Sequence, residues 1–363
     1  MLFPYIYVPH QMEKMQTFID FIFHEVWCKA PIGLVFHPDL FDGDPELKEV
    51  MVEFGFSAQA AERGKAFYTD VKAIYKLFAS LSPQEIVQFK RWYQGNNDLE
   101  KVLANDPAAH LVRYADIAVA HKNLGRQLAV FFKGLYSQAL LDLAALRAKI
   151  GDIDDHYQTF ISTNKGGKCP FCGIEDIKGP NSTKREAYDH YLPKALYPFN
   201  SINFRNLAPA CHECKSTYKL SKDPVHNGAG RRKAFNPYAT AAHTVQIQIT
   251  LLQHVDIDKL TPTDVKMEFS PAVLAEEIET WKDVYGIEER YKAKLCGEND
   301  GKYWVTQVLD ECQSYDKQPA DILNMRTQQA QSRPYADCNF LRRPFLEACQ
   351  QVGLLKIAPF FQR

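Results

Sequence analysis

No stretch of this chain approaches the run of about 18–20 consecutive apolar residues that a membrane-spanning helix requires, so no such helix is expected. The opening residues, MLFPYIYVPHQMEKMQ, have neither a basic segment nor a long apolar run, which argues against a secretory signal there. The pattern G-x-x-x-x-G-K-[ST] is missing, so any nucleotide-driven control would have to come from a partner chain. Internal repeats and low-complexity tracts are missing too, which excludes solenoids and long disordered linkers. Charge of one sign is also lacking, because the formal net charge is −1. The chain as a whole therefore carries no signature for nucleic acid or membrane.

What the sequence does hold is enough apolar material for a substantial core. Its 363 residues are 46% hydrophobic, and aromatics at 12% argue against disorder. Two or three domains are expected at this length. The charge is unevenly spread. Between Ile161 and Phe235 there are 13 Lys/Arg against 6 Asp/Glu, whereas the remainder carries 30 basic against 38 acidic residues. A basic centre between acidic arms is what a polyanion-binding core looks like, although local excesses of this size also occur on ordinary solvated surfaces.

The cysteines fall into two groups. Cys28, Cys296, Cys312, Cys338 and Cys349 are scattered, as reduced core thiols are. Cys169, Cys172, Cys211 and Cys214 form two CxxC pairs separated by 38 residues. In a reducing, cytosolic setting, which these features favour, such pairs read as metal sites rather than disulfides.

Three regions are expected. Residues 1–160 have helical periodicity, with Met15, Phe18, Ile19, Ile22 and Phe23 on one face. Asp44-Pro45 and Ser82-Pro83-Gln84-Glu85 read as helix starts, Gly95 as a turn closing the second helix, and Ala115 to Ala148 as one long helix. The bland reading of this half is a helical scaffold or partner surface. Residues 161–235 lose periodicity and gain Gly, Pro, Asn and Lys, as a small module stapled by metal does. In residues 236–363, HTVQIQITLLQ and DVKMEF alternate as two paired strands, with Val245, Ile247, Ile249 and Leu251 on one face. Helices then resume from AVLAEEIETWKDVYGIEERYKAKL onward.

The central module carries the chemistry. Two CxxC knuckles can supply four thiolates to one zinc, a closed and therefore structural site. Between them lies YDHYLPK. Asp189 offers an anionic oxygen to a hard cation, and His190 is suited to general-base work on water. Neighbours on an extended strand point in opposite directions, so one can face a metal and the other a nucleophile. The amide of Asn206, 16 residues further on, could bond backbone across the loop and steady the base-bearing strand. Lys194, Arg205, Lys215, Lys219, Lys222, Arg231 and Arg232 fit a phosphate path, or else a solubilising surface. Tyr191 and Phe204 read as core. A second Asp-His, in DDHYQTF at Asp154–Phe160, lacks bracketing cysteines and reads as helix.

Taken in order, CPFC, DH followed by LPK, Asn206-Leu207, and CHEC leading into a short helix resemble the zinc-stapled HNH endonucleases of the ββα-metal (His-Me finger) kind. The likeness covers about residues 165–225. It implies a small ββα zinc-stapled module, which with the helical flanks and the two paired strands makes the expected chain mainly α, a multidomain α+β protein. It further implies metal-dependent cleavage of DNA, with RNA left open. Asp189 would bind a divalent ion, Mg2+ or Mn2+, His190 would activate water and Asn206 would position it. Such proteins often serve restriction or phage defence, with an ATPase or other protein partner docking on the helical arms and no membrane involved.

One position departs from the family pattern. An Asn or His is expected directly after the second CxxC as another metal ligand, and this chain has Lys215 there, with Lys219 also cationic. An ammonium has donors only and cannot ligate a metal. Three arrangements are open. Ser216, Glu213 or Asp223 supplies the oxygen; Asp189 with water and substrate suffices while Lys215 meets the phosphate; or cleavage is lost, leaving a zinc-dependent nucleic-acid-binding module or complex subunit.

Overall fold

Helix-forming periodicity dominates, and a computed structural model of the chain is mostly helical, with short two-stranded antiparallel sheets. It describes residues 1–241, 244–252 and 256–355. Helix α1 (Lys14–Phe21) passes into a wider π turn over Ile22–Val26, and together they bury Met15, Phe18, Ile19, Ile22 and Phe23. Helix α2 (Pro45–Phe56) starts where Asp44 accepts from the Leu47 amide at 3.0 Å. Helix α3 (Glu62–Phe78) precedes α4 (Pro83–Asn97), whose start is a complete Ser82–Glu85 capping box.

Gly95 does not end α4, which runs through it to Asn97. The glycine is there because a Cβ would lie 2.4 Å from the His110 carbonyl oxygen. After α5 (Leu99–Leu103), the single long helix expected from 115 to 148 is four: α6 (Tyr114–Ala120), α7 (Lys122–Leu135), α8 (Gln138–Leu141) and α9 (Ala144–Ile150). His121 and Tyr136 leave helical geometry at the breaks. The small pair Ala118 and Gly125 lets α6 and α7 fold against each other, burying Ile117, Leu124 and Leu128. Apolar spacing alone does not distinguish a straight helix from one that folds back. Asp154–Phe160 lies within helix α10 (Ile153–Thr163).

The central segment is built on β1 (Tyr188–His190) paired antiparallel with β2 (Leu207–Pro209), with Asp189 opposite Ala208. A second π turn, Glu213–Lys219, follows, closed by the Leu220 amide donating to the Lys215 carbonyl at 3.1 Å. A two-residue ladder, β3 (His226–Asn227) with β4 (Gly230–Arg231), comes next. Strands β5 (Gln246–Leu251) and β6 (Val265–Ser270) pair as expected, with Ile249 and Leu251 buried and Gln246 and Gln248 exposed. His243 and Gln253, the two ends of HTVQIQITLLQ, lie outside the described residues.

Among the described residues five α-helices follow: α11 (Ala275–Tyr285), α12 (Ile287–Leu295), α13 (Gly301–Tyr315), α14 (Pro319–Ser332) and α15 (Asn339–Gln351). Gly286 separates α11 from α12 at φ +59°, and a Cβ there would meet the Tyr218 ring at 2.4 Å. Among the described residues no helix is long and apolar enough to cross a membrane.

Both flanking regions touch the central one. At the N-terminus, Leu2 donates to the Pro170 carbonyl at 3.2 Å, the Tyr5 amide to Pro237 at 2.7 Å and the Tyr5 hydroxyl to Pro209 at 3.0 Å. From the other side, Trp281 donates to the Phe171 carbonyl at 2.5 Å and Tyr291 to Cys172 at 2.7 Å. The remaining cysteines are unpaired thiols, with Cys28, Cys312, Cys338 and Cys349 buried.

Candidate functional site

Each CxxC pair is shaped as a knuckle. The Gly173 amide donates to the Cys169 carbonyl at 2.7 Å, and Gly173 itself needs φ +67°. In the second pair, the Cys214 amide approaches the Cys211 sulfur at 3.4 Å. All four sulfurs are buried and lie within 4.8 Å of one another, with Cys172 and Cys211 at 3.9 Å. A tetrahedron with legs of about 2.3 Å has edges of about 3.8 Å, so this cluster fits one zinc with no open position. The Arg290 guanidinium reaches Cys214 Sγ at 3.2 Å and stacks over Tyr218, its charge opposing the excess negative charge of four thiolates around a divalent ion.

Strand β1 carries Asp189 and His190 beside this staple. His190 Nε2 lies 2.9 Å from the Ser201 carbonyl oxygen, which can only accept, so that nitrogen holds the proton. Burial, and then Lys194, push the His190 pKa down to about 3, with Lys219 and Lys215 adding to the effect. The neutral ring therefore keeps an unprotonated Nδ1 at neutral pH. Its edge meets the Tyr136 ring, centroids 4.8 Å apart at 88°.

The loop from 191 to 206 that carries Ser201 is held from two directions. Asn206 accepts from the Leu192 amide at 2.7 Å and donates to the Leu192 and Asn200 carbonyls at 3.1 and 3.2 Å. From α4, Asn96 donates to the Pro198 carbonyl at 2.9 Å, and Asn200 returns a bond to the Asn96 carbonyl at 3.0 Å. Between them Phe199, at φ +79°, inserts its ring among Phe23, Tyr93 and Phe132. The helical half thus sets the carbonyl that fixes the His190 tautomer. Nothing in the sequence marks Ser201, Tyr136 or Asn96 for this work.

Asp189 is buried, and burial raises its pKa while Lys219 opposes the rise. Lys219 is 1% exposed. Its Nζ lies 3.0 Å from Asp189 Oδ2, donates to Oδ1 at 3.3 Å and to the His190 carbonyl at 2.8 Å. As these residues stand they do not fit a divalent ion, because the Asp189 carboxylate that would hold it is held by an ammonium. Asp223 is not placed to supply another ligand, since it binds Arg113 and the Tyr197 hydroxyl instead.

The expected phosphate path divides. Lys219 is sealed inside rather than lining a surface. Lys222 donates to the Asp283 carbonyl at 2.8 Å, Arg231 to the Asp106 and Ala109 carbonyls at 3.3 and 3.2 Å, and Arg232 to the Asp283 carboxylate at 2.7 Å. These cations are engaged in holding neighbouring segments together, which spacing along the chain does not reveal. Arg205 stacks on Tyr7 at 4.3 Å. Lys194 donates to the Lys133 and Tyr136 carbonyls, both at 3.2 Å, close enough to depress His190. Half-buried Lys215 feels Asp189, Arg185 and Lys219, and burial lowers its pKa. Tyr191 and Phe204 are core, as expected.

No protein-family model and no solved structure matches the chain. It is 25% identical over 170 residues to the Septu protein PtuB of Bacillus thuringiensis, covering 44% of this chain and 63% of that protein. It is 38% identical over 85 residues to protein ea31 of Escherichia phage lambda, covering 23% of this chain and 24% of that protein. The aligned part therefore spans less than two thirds of either relative.

Proposed function

We propose that the chain is an HNH-type phosphodiesterase acting on nucleic acid, DNA first, as the nuclease component of a phage-defence assembly. The observation that carries this reading is the His190 ring. Its Nε2 proton is committed to the Ser201 carbonyl, which leaves Nδ1 unprotonated, and the charges of Lys194, Lys215 and Lys219 act on the ring. A phosphodiester brings negative charge to such a cluster, and a water beside Nδ1 can lose its proton there as it attacks phosphorus. Asn206 is a positioning residue in this scheme, since it shapes the loop that orients the base. The zinc staple holds β1 against the turn that bears the lysines.

Similarity to a Septu protein supports the defence setting and a protein partner. The excess of Lys and Arg over Asp and Glu in residues 161–235 supports nucleic acid as substrate. Incubating the full-length, zinc-loaded chain with supercoiled plasmid and with short DNA and RNA tests the activity, in Mg2+, Mn2+ or EDTA. Nicking lost in His190→Ala is the expected result. If the wild type and His190→Ala bind DNA equally and neither cleaves any substrate, the chain is instead a nucleic-acid-binding subunit. The Lys219–Asp189 pair is the observation favouring that second reading.

A further inference from the structure

The misfit at Asp189 is organised rather than random. Lys219 bridges the carboxylate and the carbonyl of the adjacent His190, so one ammonium occupies the inner side of β1 at the base-bearing residue. The π turn Glu213–Lys219 spaces Lys215 and Lys219 along one short element, its closing bond made by the Lys215 carbonyl itself. Such wide turns are frequent at functional sites, although the one at Ile22–Val26 serves the core. Lys215 is half-buried, and among the described residues its ammonium has no hydrogen-bonding or ion-pair partner. Its charged neighbours are Lys194, Lys219, Arg185, Glu186 and an Asp189 already held by Lys219. Glu186 in turn lies 3.8 Å from Lys178. A cation so placed lacks an anion.

Resting on the phosphodiesterase reading, we propose that this site works without a catalytic metal: Lys219 neutralises Asp189 and braces β1, and Lys215 meets the scissile phosphate where a divalent ion would otherwise stand. A bond forms between water oxygen and phosphorus while the water's proton passes to His190 Nδ1. The bond from phosphorus to the leaving nucleoside oxygen breaks, that oxygen departs with the electron pair, and solvent protonates it. The Lys215 ammonium stabilises charge gathering on the phosphoryl oxygens. Lys219 remains a positioning residue because it is sealed from substrate.

Two measurements on the full-length, zinc-loaded chain test this. Mn2+ binding is read by electron paramagnetic resonance and titration calorimetry, and cleavage of a labelled DNA oligonucleotide is followed in EDTA with zinc content checked by elemental analysis. The expected results are no stoichiometric Mn2+ binding, cleavage that persists in EDTA, and a loss in kcat/KM of about 100-fold or more in Lys215→Gln, the scale of removing one charge-stabilising donor. Lys219→Met combined with Lys215→Asn is expected to create Mn2+ binding at Asp189. Should the double variant not fold, Lys215→Gln and the wild-type metal titration decide alone. Wild-type Mn2+ binding that Asp189→Asn abolishes, or cleavage only with added Mg2+ or Mn2+, overturns the metal-free site but leaves the phosphodiesterase reading intact. Cleavage by His190→Ala equal to wild type, or no cleavage under any condition, overturns the functional reading and this inference with it.

Discussion

Replacing Arg290 with methionine tests whether the zinc staple is held from outside by the C-terminal helices. Arg290 is 8% exposed, with its guanidinium 3.2 Å from Cys214 Sγ and stacked on Tyr218, so methionine keeps bulk while removing the charge and its donor. A hydrogen bond to a charged group contributes about 1.5–3 kcal/mol. Loss of an outer-shell partner of a metal ligand lowers affinity about 10- to 100-fold, or about 1.4–2.8 kcal/mol. The two routes agree, so the expected change is about 2 kcal/mol. It should be read as faster zinc transfer to a chromogenic chelator and a weaker zinc affinity by competition. Arg290→Lys should recover only part, because a lysine lacks the planar fork that spans the sulfur and the ring. Unchanged affinity in Arg290→Met would refute the idea that Arg290 balances the thiolate charge.

Chelating the zinc, or changing Cys211 to Ser, is expected to unfold the module cooperatively, seen as lost near-ultraviolet circular dichroism, since ligand bonds replace core there. Asn206→Ala strands the Leu192 amide and carbonyl in the interior and should cost about 2–4 kcal/mol in urea unfolding, with Asn206→Asp recovering only the acceptor half. Gly286→Ala forces a side chain into left-handed backbone against Tyr218 and should lower the melting temperature by several degrees, read by calorimetry. Burial lowers the His156 pKa from 6.5 to about 4. The unfolded chain thus takes up the proton first, and stability complete above pH 6.5 drains away as pH falls towards 4. The loss is about 3 kcal/mol, and His156→Gln should flatten that part of the urea-unfolding profile against pH.

The helix starts were legible because capping is local: Asp44 and Ser82 satisfy amides three residues away, within the span a reader scans. The alternating strands and the CxxC pairs were legible for the same reason. The four helices in place of one were not, because His121 and Tyr136 leave helical geometry for packing reasons that no neighbour in sequence announces. The same holds for Ser201, whose importance lies in a carbonyl common to every residue type. The basic residues show the limit best. Arg231 and Arg232 look identical to phosphate-binding arginines in sequence, yet they reach Asp106, Ala109 and Asp283, 51 to 125 residues away. The departure at Lys215 was visible in sequence, but its pairing with a sealed Lys219 required the register of the π turn.

The N-terminal strap has a consequence for how the molecule is made. Tyr5 donates to the carbonyls of Pro209 and Pro237, so it has partners synthesised more than 200 residues after it. At about 5–20 residues per second, that separation is a wait of roughly 10–45 seconds. Through that interval Leu2 and Tyr5 are apolar groups without their final neighbours, and they dock only when the segment around Pro237 has emerged. Closure of the strap over the module is therefore a late event in biogenesis. A ribosome stalled near residue 200 should leave the first ten residues open to protease while α3 and α4 are already protected.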